Sequence, residues 1–302
     1  MNYQWYPGHM TKARRMMQED IKLIDLVIEL VDARVPLSSR NPDIDELGKN
    51  KSRLILLNKV DLADDSRTVL WADYFKRQGY FVTRLDARSK SGIKAVSSMI
   101  AEACREKTER DRKRGIKNRP VRAMIVGIPN VGKSTFINTF AGKACAKTGN
   151  KPGVTKGKQW VRLNKDVELL DTPGILWPKF DDQMIGLRLA VTGAIRDEIL
   201  LSEDLALWLL EYVSENYPGM LENRYQIGEA VSLNENNDSM AAEMPEEKRR
   251  ALWLLEQIAR VRGCLLKGGE PDYKKASMLL VEDFRSGRLG RITLEVPETG
   301  EE

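Results

Sequence analysis

The stretch GIPNVGKS at residues 127–134, with the apolar run VRAMIV at 121–126 before it and STFINTF at 134–140 after it, decides the fold of this 302-residue chain. A GxxxxGK[ST] pattern between a strand and a helix is a phosphate-binding loop. Gly127 and Gly132 let successive backbone N–H groups converge on phosphate oxygens, and the helix that follows turns the positive end of its dipole toward them. The candidate phosphate contacts are Asn130, Val131, Gly132, Lys133, Ser134 and Thr135. Lys133 is expected to reach the β- and γ-phosphates as a catalytic group, and Ser134 to offer its hydroxyl to Mg²⁺.

Working outward, DTPG at residues 171–174 follows the apolar run at 167–170. Asp171 is expected to face Mg²⁺ through water, with the Gly174 N–H meeting the γ-phosphate. The polar, glycine-rich GNKPGVTKGK at 149–158 lies between, and its Thr155 is a candidate Mg²⁺ ligand engaged only when a γ-phosphate is present. Upstream, Asn58-Lys59-Val60-Asp61 ends a strand-like run. A carboxylate accepts two hydrogen bonds from the N1–H and 2-amino edge of guanine, a pair that adenine lacks. Asn58, Lys59 and Asp61 are therefore candidate guanine contacts, with Asp61 setting specificity. The Ala87 N–H, in the DARS segment at 86–89, is a softer candidate for guanine O6. A GTPase ordinarily presents its phosphate loop first and its guanine-reading motif last. Here the order is reversed, as in a circular permutation.

Strand patterns at 26–31, 54–57 and 81–84 alternate with helical ones at 66–78 and 92–105, which argues a mainly parallel sheet with flanking helices. Residues 105–122, with nine basic and three acidic side chains, read as the link between the displaced front and the phosphate-loop half. Beyond residue 176 the periodicity is helical, at 184–194, 202–212, 245–262 and 274–285. The expected fold is α/β: a permuted P-loop domain over 1–178 with an amino-terminal arm, then a smaller all-α domain over 179–302. The 171–174 and Thr155 loops lead almost directly into that helical domain, so nucleotide state is expected to influence its orientation.

Composition, 42% hydrophobic and 31% charged, suits a soluble two-domain protein. No targeting signal or run of the roughly 20 apolar residues needed to span a membrane is visible. Cys104, Cys145 and Cys264 lack CxxC spacing, which argues against zinc or a disulfide framework and for a reducing cytoplasm. Net charge is +5. Basic residues crowd the last quarter (Arg249, Arg250, Arg260, Arg262, Lys267, Lys274, Lys275, Arg285, Arg288 and Arg291), as a solvated helical surface or as contacts to RNA phosphates. Asp32-Ala33-Arg34 echoes Asp86-Ala87-Arg88 and reads as chance or as a strand-end turn.

The permuted order, the amino-terminal WYPGHM, the VDARVP segment and the terminal DFRSGRLGRITLE together resemble the bacterial ribosome biogenesis GTPase A family (RbgA/YlqF) over nearly the whole chain. That resemblance implies late maturation of the large (50S) ribosomal subunit, with rRNA and GTP/GDP as partners and neither membrane nor DNA. Ile175 follows DTPG where many GTPases place a water-orienting Gln. His9, the only histidine, caps a helix on one reading; the resemblance implies that it supplies the missing catalytic function. Asn130 is a turn former, or by likeness to K⁺-using GTPases a ligand to K⁺ near the phosphates. The contrasting reading is a nucleotide-gated RNA- or protein-binding module in which hydrolysis is incidental. A permuted GTPase of the small subunit is disfavoured, since no OB-like barrel pattern precedes NKVD.

Overall fold

The computed structural model describes residues 9–90, 92–116, 119–142, 159–172, 182–195, 202–227 and 245–298; the side chains of residues 9–14, 159 and 202 lie outside that description. The first half runs α1 (His9–Asp20), β1 (Leu26–Asp32), α2 (Asp43–Leu47), β2 (Ser52–Asn58), α3 (Asp65–Arg77), β3 (Phe81–Leu85), α4 (Ile93–Ala103) and α5 (Arg105–Lys113). It continues through β4 (Val121–Val126), α6 (Lys133–Ala141), β5 (Gln159–Arg162), β6 (Val167–Asp171) and α7 (Gln183–Val191). The strands form one six-stranded sheet in the order β3-β2-β1-β4-β6-β5, parallel throughout except for β5, which returns antiparallel on β6.

Every residue of β1 is buried, as expected of a central parallel strand covered on both faces. On one face α3 lays Trp71, Ala72 and Phe75 against Val31, Ile55, Leu57 and Val82. Full burial of side chains of this size contributes roughly 1.5–3 kcal/mol each. Asp64 starts α3 by accepting the Arg67 N–H. Met17 of α1 packs in a second cluster with Ile24, Val27, Met124, Val126 and Leu170. The pairing of β1 with β4 joins the two permuted halves, and β2 and β6 lie on opposite sides of that pair. The topological switch point therefore falls at the carboxyl ends of β1 and β4, where open α/β sheets bind ligands.

Two segments are more ordered than the sequence pattern implies. Half of the charged link forms α5, where Lys107 bridges Asp111 and Asp25, each at 3.0 Å. Most of the loop at 33–41 is buried. Its polar groups are matched: Ser39 Oγ accepts the Asp32 N–H, Arg40 pairs with the Glu29 carboxylate at 3.1 Å, and Glu295 accepts the Leu37 and Ser38 N–H groups and the Ser38 hydroxyl. The Glu295 carbonyl also accepts the Trp71 indole N–H. The elements β5, α2 and the later helix Met220–Tyr225 had no sequence signal, being only four to six residues long.

The chain divides into two compact units, residues 1–189 with 295–302 and residues 190–294. The boundary expected at 178/179 lies outside the described residues. The second unit contains α8 (Ser202–Asn216), α9 (Met220–Tyr225), α10 (Glu246–Val261) and α11 (Tyr273–Arg285). Its apolar core includes Leu209, Leu210, Leu254, Ile258, Leu280 and Phe284. Trp208 stacks obliquely on Tyr212 within α8. No helix among the described residues is long and apolar enough to cross a membrane.

Asp283 is the buried polar anchor of this unit, accepting from Arg224 at 2.8 Å, Arg288 at 2.7 Å and the Tyr225 hydroxyl at 3.2 Å. Replacing Asp283 by Ala strands all three donors and is expected to cost about 3 kcal/mol. Arg288→Ala removes only a half-exposed partner and should cost less than about 1 kcal/mol. Urea unfolding of the two variants measures the difference; equal losses would contradict the assignment of Asp283 as the anchor.

Candidate nucleotide site

The sheet register places Asp32, Asn58 and Leu85 abreast at the carboxyl edge, and Ile125 opposite Asp171. Asn58, 1% exposed, ties the loops beyond this edge together. Its Nδ2 donates to the Val131 carbonyl at 2.7 Å, and its Oδ1 accepts the Ala87 N–H at 2.8 Å. The side chain thus clasps the phosphate loop after β4 to the DARS turn after β3. Two glycines make this approach possible. Gly132 has φ of 106°, and a Cβ there would stand 2.5 Å from Asn58 Nδ2. Gly127 has φ of 150°, and a Cβ there would stand 2.6 Å from the Leu30 carbonyl oxygen on β1. Lys59 and Asn130 hold left-handed turns, at φ of 64° and 58°.

The charges of NKVD divide between the two DAR turns. Lys59 Nζ lies 2.9 Å from Asp32 Oδ2, and Arg34 closes on the same carboxylate through Nε at 3.0 Å and Nη2 at 2.8 Å. Burial alone would raise the Asp32 carboxyl; Arg34 and Lys59 outweigh it and hold the group well below the usual carboxylate range. Burial lowers Lys59, with Asp32 opposing. Asp61, by contrast, pairs with Arg88 through Oδ2, while its Oδ1 is buried without a hydrogen-bond partner among the described residues.

Lys133 opens α6 and is nearly fully buried, its ammonium donating to the Gly127 and Ile128 carbonyls at 2.8 and 2.9 Å. Burial pulls its pKa down to about 8, against the raising influence of Asp171. Burial pushes the Asp171 carboxyl up, with Lys133 opposing. Thr172 Oγ1 donates to the Ile125 carbonyl at 2.7 Å, fixing the start of the DTPG segment beside β4. Asp171 Oδ1 is also buried and unpartnered among the described residues. A buried acceptor next to a phosphate loop, with the Ser134 hydroxyl in the first turn of α6, suits the all-oxygen surroundings of Mg²⁺. Among the described residues no cluster of three or more His, Cys, Asp or Glu exists, so the ion would be held by few protein groups and by phosphate.

The structure therefore gathers Asn58, Lys59, Asp61, Ala87, Asn130, Val131, Gly132, Lys133, Ser134, Thr135 and Asp171 into the loops and helix start at one edge of the sheet. The Ala87 N–H, expected at guanine O6, is spent on Asn58, so both residues act here as parts of the clasp. Thr155, Gly174 and the His9 side chain lie outside the described residues. The sequence reading missed the Asp32–Arg34–Lys59 cluster and the Asp61–Arg88 pair. The repeated DAR was the available signal.

The family model described as 50S ribosome-binding GTPase matches residues 122–244. The ribosome biogenesis GTPase A of Bacillus cereus is 49% identical over 298 residues, covering 99% of this chain and 95% of that protein. Among solved structures, GDP-bound TM YlqF aligns with a TM-score of 0.64 at 28% identity, covering 94% of this chain and 100% of that one. GNP-bound YlqF from T. maritima aligns with a TM-score of 0.62 at 29% identity, covering 95% of this chain and 99% of that one.

Lys133 yields a pH prediction. With its pKa near 8, the ammonium is partly deprotonated at pH 8.5, and an added phosphate would draw the proton back. Nucleotide binding at pH 8.5 should therefore take up a large fraction of a proton, and affinity should fall as pH rises above 8. Calorimetry in two buffers of different ionisation enthalpy measures the uptake. Zero uptake at pH 8.5 would place the Lys133 pKa back in the ordinary range.

Proposed function

The chain belongs to the ribosome biogenesis GTPase A family, and from that premise we propose that it acts in the cytoplasm in late maturation of the large (50S) ribosomal subunit, coupling GTP hydrolysis to its contact with rRNA. The observation that carries the nucleotide reading is the pair of buried carboxylate oxygens without a partner among the described residues, Asp61 Oδ1 and Asp171 Oδ1, on either side of a phosphate loop. The first belongs to a carboxylate that suits the two N–H donors of guanine, and the second suits a water-bound cation.

In this reading Asp61 selects the base, while Asn58 and Ala87 hold its pocket to the phosphate loop. Lys133, desolvated and tethered to two carbonyls, concentrates positive charge at the β- and γ-phosphates. Ser134 and Asp171 would hold Mg²⁺, which when bound neutralises charge on the transferring phosphoryl group. Thr155 and the Gly174 N–H complete the γ-phosphate end. Ile175 cannot orient water, so His9 takes that role once a partner docks the amino-terminal arm, and hydrolysis is slow until then. Asn130 lends its side chain to K⁺, whose charge acts as an arginine finger does. Exposed Arg250, Lys267, Lys274, Lys275 and Arg291 on the helical unit supply contacts to rRNA phosphates.

The test is turnover of GTP and of ATP by the purified protein, with and without large ribosomal subunits. GTP-selective stimulation by the particle is expected, weakened when Na⁺ replaces K⁺. His9→Ala should lose the stimulated rate while keeping its GTP affinity. GTP binding without stimulation would favour a nucleotide-gated binding module, and full stimulation of the His9 variant would remove the histidine from the mechanism.

A further inference from the structure

The carboxylate assigned to guanine already holds a planar, multidentate donor. Arg88 Nη2 donates to Asp61 Oδ2, while the Arg88 Nε–H and backbone N–H both donate to Asp86 Oδ1, at 3.2 and 2.9 Å. Asp86 thus grips the arginine by its inner nitrogen and its main chain. The outer nitrogen, in the same rigid plane, donates to Asp61 rather than to Asp86.

The first DAR turn shows what this local motif does when closed. There Arg34 donates its backbone N–H, Nε and Nη2 to the carboxylate of Asp32, two residues back, and lies 2% exposed. In the second turn the backbone and Nε contacts recur, but Nη2 leaves its own aspartate for a residue on a different loop, and the side chain is 65% exposed. The difference places an exposed guanidinium against the carboxylate that the base must reach. A guanidinium presents neighbouring N–H donors in one plane, as guanine does with N1–H and its 2-amino group. Beside it, Asp61 Oδ1 is buried and has no partner among the described residues. One oxygen of the carboxylate is occupied by an internal donor and the other is unfilled.

We propose that Arg88 is an internal stand-in for the guanine edge: it occupies Asp61 when no base is bound and must release it for a guanine nucleotide to enter. This rests on the reading of Asp61 as the guanine acceptor. Arg88 then lowers the affinity for guanine nucleotides and slows their association, keeping the carboxylate charge paired between cycles. Adenine offers no matching donor pair, so it cannot trade with the guanidinium. Released, Arg88 keeps its backbone N–H contact to Asp86, and the exchange does not unfold the turn.

Fluorescence titration and stopped-flow association of a labelled GDP with the full-length protein test the idea. Arg88→Ala and Arg88→Gln, both at an exposed position, should each tighten GDP binding by roughly two- to five-fold at low ionic strength, chiefly through faster association. The gain should shrink in high salt, where an exposed ion pair is screened, and ATP affinity should not improve. Unchanged or weaker GDP binding by both variants, with Asp61→Asn losing GDP, would overturn the role of Arg88 and leave Asp61 as the acceptor. GDP affinity retained in Asp61→Asn would overturn the Asp61 reading and this proposal with it.

Discussion

The side-chain amide of Asn58 is the contact on which the nucleotide edge depends. Positions 58, 87 and 131 lie far apart in the chain and follow three different strands, yet one amide bonds to the backbone of the other two. Parallel register brings β2 and β3 level, while β4 lies beyond β1, and only a side chain crosses that gap. The approach is close enough that position 132 admits nothing larger than glycine. Breaking the Asn58 contacts would leave a buried donor and acceptor unmet, and would free the phosphate loop from the base-reading turn.

Electrostatics then separates residues that look alike in sequence. Asp32 and Asp61 each follow the end of a parallel strand and each meets an arginine from a DAR segment. Asp32 is saturated by Arg34 and Lys59 and sealed from solvent, which makes it a structural ion cluster. Asp61 keeps a buried oxygen with no partner among the described residues and an exposed arginine on the other, which makes it available to a ligand. Lys133 and Asp171 show the same economy at the phosphate end: burial disfavours both charges, and each is only partly relieved by the other. A site whose charges are incompletely matched is prepared for a polyanion and its counter-ion.

Much of this was legible in the sequence because it is local. The GxxxxGKS loop, the NKVD strand end, Asp171 at the end of β6 and the alternation of strand and helix depend on short-range chemistry, and each stands where its spacing placed it. The reversed motif order gave the permutation, and the helical periodicities after residue 176 are met by α7, α8, α10 and α11. What escaped was long-range or weakly patterned. Glu295 meets Ser38 across more than 250 residues, and nothing near either position announces the pairing. The α5 segment looked like a linker because its stability comes from Lys107 reaching Asp25 as well as Asp111. The DAR repeat was visible, but its meaning depended on which aspartate each outer guanidinium nitrogen would choose, a matter of tertiary placement.

The most direct measurement is a crystal structure of the full chain with GDP and Mg²⁺. The account requires both oxygens of Asp61 within hydrogen-bond distance of the guanine edge, Asn58 still joined to the Val131 carbonyl, and the Lys133 ammonium within hydrogen-bond distance of the phosphate oxygens. A base bound away from Asp61, or a phosphate chain out of reach of the Lys133 ammonium, would contradict it.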